Sequence, residues 1–246
     1  MRPLSASAVL QVWEQGQRGH SVNKALALLA AALPERSLAE LADYSLGERD
    51  AILLQLRERT LGPNLKGYTA CPKCSVTLDF TISVRDVLVA RSRVSPEGVL
   101  TTDDGYEVRF RPVTSRDLES ISRAADVDAA RELLLRRVVR RALLAGAPVD
   151  PRALPDSVVE ALSERLETHD PQAEIPLAMA CAACKHEWLA LFEIGTFFWA
   201  EVNALAERLL NEIHVLAHYY GWSEKEILSL SAVRRQYYLD LVPTNS

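Results

Sequence analysis

Apolar and polar positions change their period several times along this chain, and each change marks a structural boundary. Over the first sixty-odd residues the period is helical. Val22, Ala25, Leu26, Leu29, Ala32 and Leu33 recur at helical spacing until Pro34 stops the pattern, with Ser21 placed to cap its start. Ser37-Leu-Ala-Glu40 and Ser45-Leu-Gly-Glu48 each match the Ser-x-x-Glu capping box. The helix opened by the second box, Leu46 to about Thr60, ends at Gly62-Pro63.

The period then becomes two. Val76, Leu78, Phe80, Ile82 and Val84 alternate with Thr77, Asp79, Thr81 and Ser83, which predicts a half-buried strand. Asp104-Gly105 is a favoured hairpin turn, and Tyr106, Val108, Phe110 and Pro112 alternate after it. Thr114 or Ser115 then caps a helix expected to run through Leu133, Leu134, Leu135, Val138, Val139, Leu143 and Leu144 to a stop at Gly146 and Pro148. A proline-rich loop, a short helix near Ser157 to Glu167 and strand-like patterning from Ile175 to Ile194 follow. From Thr196 onward the pattern predicts three helices: a long one to Tyr220 stopped by Gly221, a second boxed by Ser223 and Glu226, and a third from Ser231.

Composition narrows the classes. A chain of 246 residues with 48% hydrophobic and 25% charged content is in the globular range, which argues against disorder over most of its length. A net charge of -5 and a pI near 5.6 give no electrostatic reason for the whole chain to hold a phosphate backbone, so nucleic acid is not an expected partner. Charged or polar residues interrupt the apolar runs at the amino terminus before an export signal could form. Ala25 to Leu33, the longest uncharged run of the first half, is far short of the ~20 apolar residues that span a bilayer. No membrane contact is expected. The expected location is the cytoplasm or an assembled particle, where thiols stay reduced.

Against that background the cysteines carry the sharpest chemistry. Gly67-Tyr-Thr-Ala-Cys71-Pro-Lys-Cys74-Ser-Val-Thr-Leu-Asp-Phe80 and Leu177-Ala-Met-Ala-Cys181-Ala-Ala-Cys184-Lys-His-Glu-Trp188-Leu share one plan of strand, Cys-x-x-Cys turn and strand. Two such knuckles supply the four ligands that a tetrahedral structural Zn²⁺ prefers, and every cysteine of the chain belongs to one of them. The usual gap between knuckles is ~15–20 residues. Here it is about a hundred, so the hairpin and helices between them form an insertion.

The predicted fold is therefore α+β, a split zinc ribbon of two Cys-x-x-Cys β-hairpins with N-terminal, inserted and C-terminal helices. A helical segment over 1–64 leads into the ribbon, 65–195, which carries the insertion at 86–173; a helical segment over 196–246 completes one compact unit.

Separate redox pairs are the competing reading, but neither pair opens a helix after a strand as a thioredoxin motif does. No His-x-Glu precedes a Pro-Cys-x-x-Cys, which argues against a zinc deaminase. Lys73 and Lys185 could offset the charge of a tetrathiolate, and His186 is a substitute ligand or a solvent-facing side chain. His214 and His218 lie four apart on a helix, but the His-Glu-x-x-His order is absent. Arg136, Arg137, Arg140 and Arg141 read as a basic helix face. The last third is crowded with aromatics, more than three small helices readily bury. Trp199, Tyr219, Tyr220, Trp222, Arg234 and Arg235 are therefore candidate partner-binding residues. The acidic neighbours Glu224, Glu226 and Asp240 argue against a DNA-reading helix there.

Across nearly its whole length the chain resembles the T-even-type phage baseplate hub assembly chaperone family, whose members also occur in gene clusters for phage-tail-like contractile injection systems. The resemblance rests on an ordered set of segments. Leu53-Leu-Gln-Leu-Arg57, Gly62-Pro63, Cys71-Pro-Lys-Cys74 and Leu78-Asp-Phe80 come first, then Arg109-Phe-Arg-Pro112 and Ser115-Arg-Asp-Leu118. Asp170-Pro-Gln-Ala-Glu174, Cys181-Ala-Ala-Cys184, Trp188, Trp199-Ala-Glu201 and Leu210-Asn-Glu-Ile-His214 follow. Tyr220-Gly-Trp-Ser-Glu-Lys-Glu-Ile-Leu228, Leu230-Ser231 and Arg234-Arg235 close the set. The departures are Ser75 and Lys185, which stand where a glycine commonly follows the second cysteine of such a knuckle. The resemblance implies a binding role without catalysis in building a contractile tail, with hub or spike proteins as clients. The alternatives are a permanent structural part of the baseplate and a zinc-ribbon nucleic-acid accessory factor.

Overall fold

The computed structural model describes residues 1–17, 19–89 and 95–243. Helices α1 (Ala6–Gly16), α2 (Ser21–Ala32), α3 (Leu38–Ala42) and α4 (Leu46–Leu61) precede the hairpin β1 (Asn64–Ala70) and β2 (Thr77–Ser83). The one-turn α5 (Val84–Val87), β3 (Gly98–Thr101), β4 (Tyr106–Phe110), α6 (Ser115–Ile121), α7 (Val127–Val138), β5 (Val139–Leu144), β6 (Ala147–Pro148) and α8 (Asp156–His169) come next. The second hairpin, β7 (Pro176–Ala180) and β8 (Glu187–Leu191), leads into α9 (Ile194–Tyr220), α10 (Glu224–Ser229) and α11 (Ala232–Asp240). Among the described residues no helix is long and apolar enough to cross a membrane.

Local chemistry places most of these boundaries. Ser37, Ser45 and Ser223 form the expected reciprocal boxes with Glu40, Glu48 and Glu226. Ser21 does not cap α2. The extended backbone of a cap sits one residue earlier, at His20, so Ser21 is already helical.

Two hydrophobic cores organise the described residues. In the first, α9 packs against α1, α2, α4, α10 and α11, and Leu28, Leu53, Leu56, Phe198, Val202 and Leu209 are buried between them. The Trp199 ring lies directly over Gly16, where a Cβ would overlap it, and Trp13 Nε1 donates to Asn203 Oδ1 at 2.8 Å. Gly16→Ala is accordingly expected to displace Trp199 and destabilise by about 1–3 kcal/mol, as overpacking does. At ~2–4 °C per kcal/mol for a chain of this size, thermal melting reads this directly. Arg57 on α4 ties the same core to α9, donating from Nε and Nη2 to the two carboxylate oxygens of Glu201 at 2.9 and 2.6 Å.

The second core lies under the antiparallel sheet β3-β4-β5-β6. Val108, Phe110, Val139 and Ala142 from the strands meet Val158 and Leu162 of α8. The two cores are stitched together at the amino end of α4. There Leu46 N–H donates to Val113 O at 2.9 Å, and the buried Asp170 accepts the Gly47 N–H at 2.9 Å. Gln172 bridges further, accepting from Val89 N–H at 2.7 Å and donating to Val87 O at 3.1 Å.

The expected single helix from Thr114 to Leu144 is corrected. It is broken into α6 and α7, with Asp126 capping the second by accepting from Ala129 N–H, and it gives way to strand at Val139. β5 pairs with the free edge of β4, from Tyr106↔Leu144 to Phe110↔Val139. Gly146, expected as a helix stop, instead turns a hairpin with Ala145, both at positive φ (87° and 48°), as a primed two-residue turn requires. The basic cluster is thereby divided: Arg136 and Arg137 lie on α7, and Arg140 and Arg141 lie on β5.

Candidate metal centre

Each hairpin holds its cysteines by the same local bonding. In the first turn Cys71 N–H donates to Val76 O at 2.9 Å and Ser75 N–H to Cys71 O at 2.8 Å. In the second, Cys181 N–H donates to His186 O at 2.8 Å and Lys185 N–H to Cys181 O at 2.9 Å. The turns close by placing Ser75 (φ 60°) and Lys185 (φ 59°) in the left-handed region, the conformation for which glycine is suited. Relief of the ~1–2 kcal/mol left-handed penalty exceeds the ~0.5–1 kcal/mol entropic cost of glycine. Ser75→Gly and Lys185→Gly are each expected to raise stability by about 0.5–1 kcal/mol, visible as a small rise in melting temperature.

The hairpins bring their sulfurs together across the insertion. Cys71 Sγ lies 3.7 Å from Cys184 Sγ, Cys74 Sγ lies 3.6 Å from Cys181 Sγ, and all four lie within 4.8 Å of one another. These distances exclude disulfides, whose S–S bond is ~2.05 Å. The two short separations match the ~3.8 Å edge of a tetrahedron of sulfurs at ~2.3 Å from a central ion, and the other pairs lie within 4.8 Å. Both short separations run between hairpins, so an ion held here would clamp one hairpin to the other. Among the described residues no histidine or carboxylate joins the four-sulfur cluster. His186 instead stacks on Trp188, with ring centroids 5.8 Å apart.

Backbone hydrogen bonds favour the thiolate at Cys181. The Cys184 backbone N–H, working against desolvation and with help from the Ala183 N–H, lowers Cys181 to about 6. At Cys184 the His186 N–H favours the thiolate, but desolvation and the sulfurs of Cys74, Cys181 and Cys71 together push it up to about 12. Four sulfurs this close resist shedding all their protons unless a cation sits among them.

The structure separates the other candidates. Trp199 and Arg235, expected at a partner surface, are interior. Trp199 is 8% exposed beneath Lys24, and Arg235 is 5% exposed, its Nε donating to Glu212 Oε2 at 2.8 Å and its Nη1 to Leu230 O at 2.8 Å. Of the aromatic crowd, Phe198 and Trp199 are buried in the first core. Tyr219 and Arg234 are exposed, while Tyr220 and Trp222 stack with centroids 4.7 Å apart and are half-buried against Tyr238. His214 and His218 are exposed and stack on each other.

Sequence reasoning missed a set of buried polar ties: Arg57–Glu201, Arg235–Glu212, Asp170 accepting from Gly47 of α4, and Asp117 between Arg111 and Arg137. Most of these residues lie inside the segments that carried the family resemblance, which was the one signal able to find them.

A family model described as T4 bacteriophage base plate protein matches residues 10–139. The chain belongs to that family. In this base plate family member the match runs from within α1 to the first residue of β5 and includes the first knuckle; the second knuckle and α9 lie beyond it. No curated protein and no solved structure matches the chain.

Proposed function

We propose that this chain is a non-enzymatic assembly chaperone or adaptor for the baseplate hub of a contractile phage tail or phage-tail-like injection system, with a structural zinc ion in its four-cysteine site. The family match over residues 10–139 carries this reading. It is supported by the ordered segments from Leu53 to Arg235.

Zinc follows from the donor set. Four sulfurs at tetrahedral spacing suit an ion that favours thiolate ligands, and they fill its coordination without leaving a position for substrate. Cys71, Cys74, Cys181 and Cys184 would hold it, and its contribution is to lock the two hairpins rather than to react. Metal analysis of the purified chain is expected to give one zinc per chain. The clients in this reading are hub or spike subunits.

Quantitative mass spectrometry of finished particles against the extract that made them tests the role. The chaperone reading expects the chain to be absent from particles that fail to form without it. Stoichiometric retention would instead make it a permanent baseplate part, which the family description also fits. The net charge of -5 predicts no salt-dependent DNA binding.

A further inference from the structure

The two knuckle hairpins share a plan but not a surface. On β1–β2 the outward face pairs Lys66 with Thr81, Tyr68 with Asp79 and Ala70 with Thr77, a face suited to water. On β7–β8 the outward face pairs Pro176 with Leu191, Ala178 with Leu189 and Ala180 with Glu187. Leu189 and Leu191 are each 71% exposed. The opposite face of the same hairpin, with Leu177, Met179 and Trp188, is half-buried. Alternation in a half-buried hairpin normally puts polar side chains outward. Here the second hairpin is apolar on both sides, and an apolar sheet face left to solvent marks a contact surface.

Two further features say what covers it. A cavity of about 290 Å³ opens between the hairpins and the start of α9, lined by Phe80, Met179, Phe192 and Phe197, with Leu191 at its lip. It offers a socket for an anchoring side chain beside the flat face. Two exposed carboxylates, Glu174 and Glu193, lie beyond the open end of the hairpin, while at the knuckle end Glu187 is accompanied by the exposed Lys73 and Lys185. Among the described residues none of the three carboxylates takes part in an ion pair.

We propose that the outward face of β7–β8 docks an apolar segment of another baseplate protein that carries lysine or arginine at the end lying over Glu174 and Glu193. The partner's identity rests on the proposed function; the surface does not. A second copy of this chain stacked open end to open end fits poorly, because that two-fold pairing would bring Glu174 and Glu193 of the two copies together. A basic-ended segment turns those carboxylates into favourable partners and steers the encounter.

The test uses the full chain and each purified baseplate subunit of the same particle, titrated at low and high salt. Leu189→Ser/Leu191→Ser alters exposed side chains only, so melting and metal content are expected to stay as in wild type. One subunit is expected to bind, at least tenfold more weakly to this variant. Glu174→Gln/Glu193→Gln is expected to weaken it about threefold and to flatten the salt dependence. Equal binding of that subunit to wild type and the serine variant overturns the docking surface and leaves the baseplate reading standing. Failure of every subunit to bind wild type overturns both. Wild-type self-association in sedimentation, abolished in the serine variant, makes a second copy the occupant and overturns the proposal.

Discussion

Cys181→Ser is expected to abolish zinc binding and to lower the melting temperature by about 8–16 °C. The figure follows from a destabilisation of ~4 kcal/mol, the range reached when a metal site is lost, at ~2–4 °C per kcal/mol for a chain of this length. Backbone hydrogen bonds favour ionisation of Cys181, one of the two buried cysteines at 1% exposed, so its replacement removes a candidate ligand and leaves a hydroxyl in its place. Because binding free energy in such sites is folding free energy, a chelator should bring the wild-type melting curve to that of the variant. His186→Ala, which alters a ring outside the sulfur cluster, should retain one zinc per chain. An unchanged melting curve together with unchanged metal content in Cys181→Ser would sink the structural zinc.

The second large effect is expected at Asp117. Its side chain is fully buried and accepts from Arg111 Nη1 at 2.6 Å and Nη2 at 2.8 Å, from Arg137 Nε at 2.7 Å and from Thr114 N–H at 2.9 Å. Burial alone would raise its pKa, but the bonds from Arg111, Thr114 and Arg137 outweigh it and hold the carboxyl well below the usual range. Asp117→Asn keeps the shape and strips the charge, leaving two partly buried guanidiniums without their anion. A loss of about 2–4 kcal/mol is expected, below the full range for a buried pair because Arg137 is a third exposed.

The sign of the pH dependence follows from the depressed pKa. The stabilisation is present above the unfolded value of ~3.9 and is lost as pH falls through that value toward the folded one. The gap between wild type and Asp117→Asn in denaturant titrations should therefore be widest near neutral pH and narrow below ~4. The comparison with the variant matters because Asp50 moves oppositely. Burial raises its pKa against the pull of Arg49, so acidification relieves rather than removes a contribution there. A gap that stays constant with pH would show that the charge of Asp117 contributes nothing.

Much of this fold was legible where the information is local. A capping box needs four residues and a knuckle four; Ser45–Glu48 and Cys71–Cys74 were legible for that reason. The hairpin at Asp104-Gly105 formed as well, but it closes through the three residues 103–105, with Gly105 and not Asp104 at positive φ, rather than through a two-residue turn. The three C-terminal helices were legible because Gly221, Ser223 and Ser231 punctuate them. The strand β5 was not, because Val138 to Leu144 suits a helix or a strand, and only the free edge of β4 decides between them.

The four-cysteine cluster was legible from the closed count of cysteines, although nothing in the spacing requires residues 107 apart to meet. The partner surface was misread at Trp199 and Arg235 because aromatic density does not say which way a helix faces. Arg235 answers Glu212, and Trp199 answers the missing side chain of Gly16.

The division into two cores sets an order of events during synthesis. Every residue of the second core lies between Leu100 and Leu166, so that sheet and its helix can close as soon as one stretch of chain has left the ribosome. The first core joins Val9 to Leu209 and cannot be finished until most of α9 has been made. At ~5–20 residues per second, α1 waits about 10–40 s with its apolar stripe uncovered. A protein proposed to guard the assembly of others thus passes through its own unguarded interval, with its first-made helices the last to find their place.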